Sequence, residues 1–165
     1  MDAGADFRPD LAGFLEDIEC SFRTHGGRSA AVVWPQGEAS VVQALVAAHE
    51  GTESSAGDTV HLLARDFGEL VNRHVDVGYR TVPARHVDEE RDITTDTFAV
   101  LLKGVVEVQL SPRSIDRPEE MGQIRHRLLV GEVLYIPAGF SCVVSGQHSF
   151  ALIMELALGN RGTWS

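Results

Sequence analysis

A chain of 165 residues with 44% hydrophobic and 23% charged content suits one globular domain with a sizeable core. Its formal net charge of −10 excludes a general nucleic-acid binder, which needs a basic footprint. No apolar run approaches the roughly 18 residues of a membrane-spanning helix.

Met1 to Asp6 bear no basic segment leading into an apolar stretch, so the sequence predicts a cytoplasmic protein without a secretory signal. Cys20 and Cys142 are far apart and outside any C-x-x-C spacing, and are expected as free thiols. Lys103 is the only lysine beside thirteen arginines, a skew that suits GC-rich coding and a bacterial source.

In chain order, Leu11, Phe14, Leu15, Ile18 and Phe22 make one face of a first helix. Asp10 is its expected N-cap and Gly26-Gly27 its stop. That face is expected to pack on the rest of the domain or on a second subunit. Ala30 to Trp34 reads as a short strand ended by Pro35, and Val41 to His49 as a second helix with Val42, Leu45 and Val46 on one side. Gly51 to Gly57 is a loop by composition. Val60 to Ala64 reads as a strand, and Asp66 to Asn72 as a turn or short helical piece.

From Tyr79 the pattern is β. Candidate strands are Tyr79–Val82, Thr97–Leu102, Val105–Leu110, Arg125–Leu129, Val133–Ile136, Cys142–Val144 and Phe150–Leu156. Lys103-Gly104 suggests a tight hairpin, and Ser111 to Gly122 a Pro-bearing loop. Short strands closed by Gly and Pro favour a sandwich or jelly-roll barrel. Phospholoop, dinucleotide, nucleophile-elbow and H-E-x-x-H motifs are all absent from the sequence.

Three blocks then carry a resemblance. Gly131-Glu-Val-Leu-Tyr-Ile-Pro137-Ala-Gly139-Phe-Ser-Cys142 resembles the second motif of the cupin superfamily. Asp96-Thr-Phe98 through Gly104 resembles a strand of its JmjC-like, ribosomal-oxygenase-like branch, and His148-Ser-Phe-Ala-Leu-Ile-Met resembles the strand that returns across the barrel. The resemblance implies a mainly β fold, a single cupin (jelly-roll) barrel with an N-terminal helical lead-in. The lead-in would span 1–58 and the barrel 59–158 of one domain, 1–165. It further implies a facial triad of two histidines and a carboxylate around Fe(II), with 2-oxoglutarate as co-substrate.

A gapless extension of the first block puts Arg91 and Ile93 where that branch has its His and Asp, and Cys142 where it has its third ligand. With about five inserted residues, His86-Val-Asp88 supplies H-x-D, and its alternation puts both side chains on one face. His86, Asp88 and Cys142 are therefore the candidate ligands of Fe(II) or another divalent metal, with His74, Asp76 and His148 as alternatives. Each also has a plain reading, as a solvated loop residue or, for Cys142, as a small buried hydrophobe.

Cys142 is also a candidate catalytic thiol. Glu155 either points into the barrel as a candidate catalytic acid or base, or faces outward from the pleat. The leading expectation is a divergent cupin-like protein that binds a small-molecule or peptide-like ligand in its barrel. It would be a biosynthetic enzyme with a nonstandard or absent metal site if it is an enzyme at all. The alternatives are a working Fe(II)/2-oxoglutarate oxygenase and a non-catalytic binding or assembly module. A homodimer is a further expectation.

Overall fold

The computed structural model describes residues 7–51, 56–113 and 123–159. Three helices, α1 (Phe7–His25), α2 (Glu38–Glu50) and α3 (Ala56–Val71), accompany nine strands. The strands are β1 (Ala31–Val33), β2 (Val75–Val82), β3 (Arg91–Asp92), β4 (Thr97–Lys103), β5 (Val106–Pro112), β6 (Ile124–Leu128), β7 (Val133–Ile136), β8 (Phe140–Gly146) and β9 (Ala151–Leu158). They form two antiparallel sheets, ordered β1-β7-β4-β9-β2 and β3-β8-β5-β6. The sheets are not closed into the barrel expected from the sequence; they form a two-sheet arrangement with edge strands β1 and β2 in one sheet and β3 and β6 in the other.

The central strands of the five-stranded sheet, β7, β4 and β9, are buried on both faces. Thr97 to Leu102 and all of β7 are buried without alternation, which is why they read as continuous apolar runs. Odd and even positions of β4 serve different cores. Phe98, Val100 and Leu102 join Tyr135, Met154 and Leu156 against Leu11, Phe14, Ile18, Leu45 and Phe67 of the helices. Ala99 and Leu101 join Leu134, Ile136 and Ile153 against Val108, Leu110, Phe140, Cys142 and Val144 of the other sheet. The first helix thus packs on the domain's own sheet. By contrast β5 alternates between buried and partly exposed positions, as a strand with one solvated face does.

Three further expectations differ from the fold. Asp10 lies in the first turn of α1 and does not cap it. The strand expected at Val60–Ala64 and the piece after it are one helix, α3, with Leu63 and Phe67 buried one turn apart. Helical periodicity over sixteen residues outweighs a five-residue apolar run. Lys103-Gly104 is not a hairpin, because β4 and β5 belong to different sheets. It is a corner where Gly104 takes φ 80° and a Cβ would lie 2.5 Å from the Phe150 carbonyl oxygen. The short strand β3 was not foreseen. Most of the loop expected at Ser111 to Gly122 and four residues of the one expected at Gly51 to Gly57 fall outside the described residues.

A second corner joins β7 to β8 through Pro137-Ala138-Gly139, with Gly139 at φ 95°. Asp96 pins it. Its Oδ1 accepts from the Ala138 backbone N–H (3.3 Å) and the Tyr135 hydroxyl (2.8 Å), while Oδ2 accepts from Arg73 (2.9 Å). Arg73 also donates to the carbonyls of Leu158 and Gly159, and Tyr135 accepts from the Gly27 N–H at the end of α1. Asp96 and the Pro-x-Gly turn, forty residues apart, are therefore one hydrogen-bonded unit tying the first helix to the sheet.

Candidate functional site

The pleat of β9 turns Glu155 away from the helices and toward the second sheet. There it meets Arg91, carried by β3 and paired in register with Cys142 of β8. Arg91 donates from both terminal nitrogens to the Glu155 carboxylate, Nη1 to Oε2 at 3.0 Å and Nη2 to Oε1 at 2.7 Å. Arg80 of β2 adds a second guanidinium, its Nη1 donating to Asp88 Oδ2 at 3.3 Å and its Nε 3.6 Å from Glu155 Oε1. His86 Nε2 lies 3.2 Å from Asp88 Oδ1. The result is a chain His86–Asp88–Arg80–Glu155–Arg91, in which carboxylates alternate with nitrogen-bearing side chains, crossing from one sheet to the other.

Arg91 is the most constrained member. Its pKa is raised, chiefly by the hydrogen bond to Glu155, against an opposing effect of burial. Its Nε is buried and without a hydrogen-bond partner among the described residues. Cys142 lies beneath this network, 4% exposed. Burial pushes its thiol up to about 11, with Arg91 pulling the other way and Glu155 adding to the rise. At neutral pH it is a protonated thiol, the inert form of cysteine.

One consequence is measurable. A thiol reagent at about pH 8 should modify the exposed Cys20 in the native protein and reach Cys142 only on unfolding. Because the folded thiol has the higher pKa, its contribution to stability is complete below 9.0 and is lost as pH rises toward 11. Cys142→Ala should flatten that alkaline decline in urea unfolding.

The sequence candidates are thus partly gathered. His86, Asp88 and Glu155 lie in one network, and Cys142 lies close enough to feel the charges of Arg91, Glu155, Arg80 and Asp88. The segment bearing His86 and Asp88 is a turn followed by an isolated bridge at Val87, not the strand that alternation suggests. His74 and Asp76 pair with each other at 3.0 Å on the exposed start of β2, and His148 sits exposed on the bend between β8 and β9. Among the described residues, no three His, Cys, Asp or Glu side chains come together in a way that could hold a metal ion.

The two arginines were not foreseen as functional. The available signal was Arg91 itself, a charge standing at a ligand position two residues before the buried Ile93. Beside the network is an open groove of about 400 Å³ lined by Arg80, Thr81, Asp88, Glu89, Glu90 and Arg91. Arg113 braces its rim through ion pairs with Glu90 and Asp92.

No family model and no curated protein matches the sequence. Solved structures do. The ribosomal oxygenase YcfD from Escherichia coli, in complex with cobalt and succinic acid, aligns at 21% identity with a TM-score of 0.52. That match covers 64% of this chain and 29% of the oxygenase. RmlC from Streptococcus suis, in complex with dTDP-D-xylose, aligns at 8% identity and TM-score 0.47, covering 54% of this chain and 46% of RmlC. The Drosophila melanogaster CENP-C cupin domain aligns at 12% identity and TM-score 0.44, covering 50% of this chain and 59% of that domain. At such identities the likeness concerns architecture alone. The chain has a cupin-like fold, and a ribosomal oxygenase is among its structural neighbours.

Proposed function

We propose that this protein is a binding module for a small zwitterion of the amino-acid or dipeptide class, held in the rim groove. The observation that carries this reading is the groove's lining, which gathers Arg80 and Arg91 with Asp88, Glu89 and Glu90 around a volume of about 400 Å³. Beyond their ion pairs with Asp88 and Glu155, the guanidinium groups of Arg80 and Arg91 suit a ligand carboxylate and the exposed Glu89 suits an ammonium, while the volume lies in the range of small-molecule sites. The space between the sheets, where a barrel ligand was expected, is instead packed with Leu101, Leu110, Leu134, Phe140 and Ile153. In this reading Cys142 and Glu155 form the floor of the site and carry out no chemistry.

A thermal-shift panel tests it. A dipeptide with free termini, present at about ten times a millimolar Kd, should stabilise by about 1.4 kcal/mol, a rise of roughly 3–5 °C. The same dipeptide blocked at both ends should give no rise, and Arg80→Gln should abolish the response. Equal responses to free and blocked dipeptides, or none to either, would contradict the reading.

A further inference from the structure

The resemblance to metal-binding cupins makes a divalent metal the group to test against the residues present. Arg80 and Arg91 have no acceptor atoms and do not lose their protons, so neither is a ligand. Cys142 lies buried beneath the network, 4% exposed, and among the described residues no three His, Cys, Asp or Glu side chains gather in a way that could hold a metal ion. The remaining donors are already engaged, Glu155 by Arg91, and Asp88 by Arg80 and His86. A divalent metal does not fit this donor set.

We infer that the Arg91 guanidinium is itself the cation of this site, tying the two sheets together through Glu155 at the place where the sequence resemblance puts a metal ligand. Its placement carries the inference. Arg91 stands on β3 opposite Cys142, at the position that the gapless sequence comparison assigns to a metal ligand. It reaches across to the other sheet and grips Glu155 with two bonds. Its charge neutralises an inward carboxylate in a partly buried setting, as a metal would, but with fixed planar geometry and no exchangeable ligand. Asp88 is held by the second guanidinium, that of Arg80, so both acids of the cluster have an internal counter-ion.

The inference goes beyond the ligand reading and stands whether or not the groove takes a dipeptide. It is tested on the full chain by thermal unfolding. The melting temperature of the wild type should be unmoved by EDTA and by added Fe(II), Mn(II) or Zn(II). Arg91→Ala should lower it, Arg91→Lys should lower it less, and Arg91→Ala/Glu155→Ala should recover part of the loss, because the stranded carboxylate is gone. Stabilisation of the wild type by a divalent metal and its reversal by EDTA would overturn the inference. So would an Arg91→Ala loss that the second substitution does not relieve. If Arg91→Ala fails to fold, the wild-type metal response and Arg91→Lys alone decide the matter.

Discussion

Replacing Asp96 with alanine is expected to cost about 3–5 kcal/mol, the effect of removing one partner from a largely buried ion pair. The Arg73 and Asp96 side chains are 14% and 16% exposed, so water can reclaim little of what is lost. Three donors lose their acceptor together: Arg73 Nη1, the Tyr135 hydroxyl and the Ala138 N–H. Tyr135 is fully buried, and burial already holds its phenol well above the usual range, so it stays a donor that needs an acceptor. Asp96→Asn keeps an oxygen for Tyr135 and Ala138 while losing the charge facing Arg73, and should cost about half as much. Urea unfolding of the two variants checks the ratio. A cost for Asp96→Ala below about 1 kcal/mol, the level of an exposed pair, would show that the network does not hold the corner.

Phe98→Ala should destabilise by a similar ~3–5 kcal/mol through a different mechanism, a cavity left in a packed core. Phe98 is 1% exposed and meets Phe67 and Phe22 edge-on at centroid distances of 5.2 and 5.9 Å, with Tyr135 tilted against it at 5.0 Å. These rings come from α1, α3, β4 and β7, so the cavity would open where the helices meet the sheet. Phe98→Leu should cost far less, because it keeps most of the volume. Both should leave the Arg91–Glu155 network and the groove intact, since these lie beyond the opposite face of the same sheet. A loss of dipeptide response in a folded Phe98→Leu protein would contradict that separation.

Local pattern made much of the fold readable. Val133–Ile136 is a strand as expected, and six other strands from Tyr79 onward fall within a few residues of their expected bounds. Pro137 and Gly139 mark a real corner because each constrains φ in its own way, and Gly26-Gly27 ends the first helix with Gly27 at φ 72°. What failed was the reading of short runs. Val60 to Ala64 looks β over five residues, and only the recurrence of Leu63 and Phe67 reveals α3. Lys103-Gly104 fixes that the chain turns, but a glycine cannot say which sheet the next strand joins.

The site was legible as a set of residues and not as an arrangement. His86, Asp88, Cys142 and Glu155 could be named because His86-Val-Asp88 makes an H-x-D, Cys142 closes the Pro-x-Gly motif and Glu155 interrupts an apolar strand. Their partners could not. Arg91 and Glu155 are 64 residues apart, and only the antiparallel register of β3 on β8 and the stacking of the two sheets bring them together. Asp96 was read as part of a strand motif, whereas its carboxylate serves a corner some forty residues downstream. Long-range ion pairs of this kind leave no periodic trace in the sequence.

The central claim is that an arginine–carboxylate network, and not a metal centre, occupies the inward site. Elemental mass spectrometry of the purified, untagged protein, alongside His86→Ala, tests it most directly. The expected result is substoichiometric metal in both proteins, before and after reconstitution with Fe(II). One equivalent of iron, zinc or nickel in the wild type that disappears in His86→Ala would contradict the account and establish His86 as a ligand.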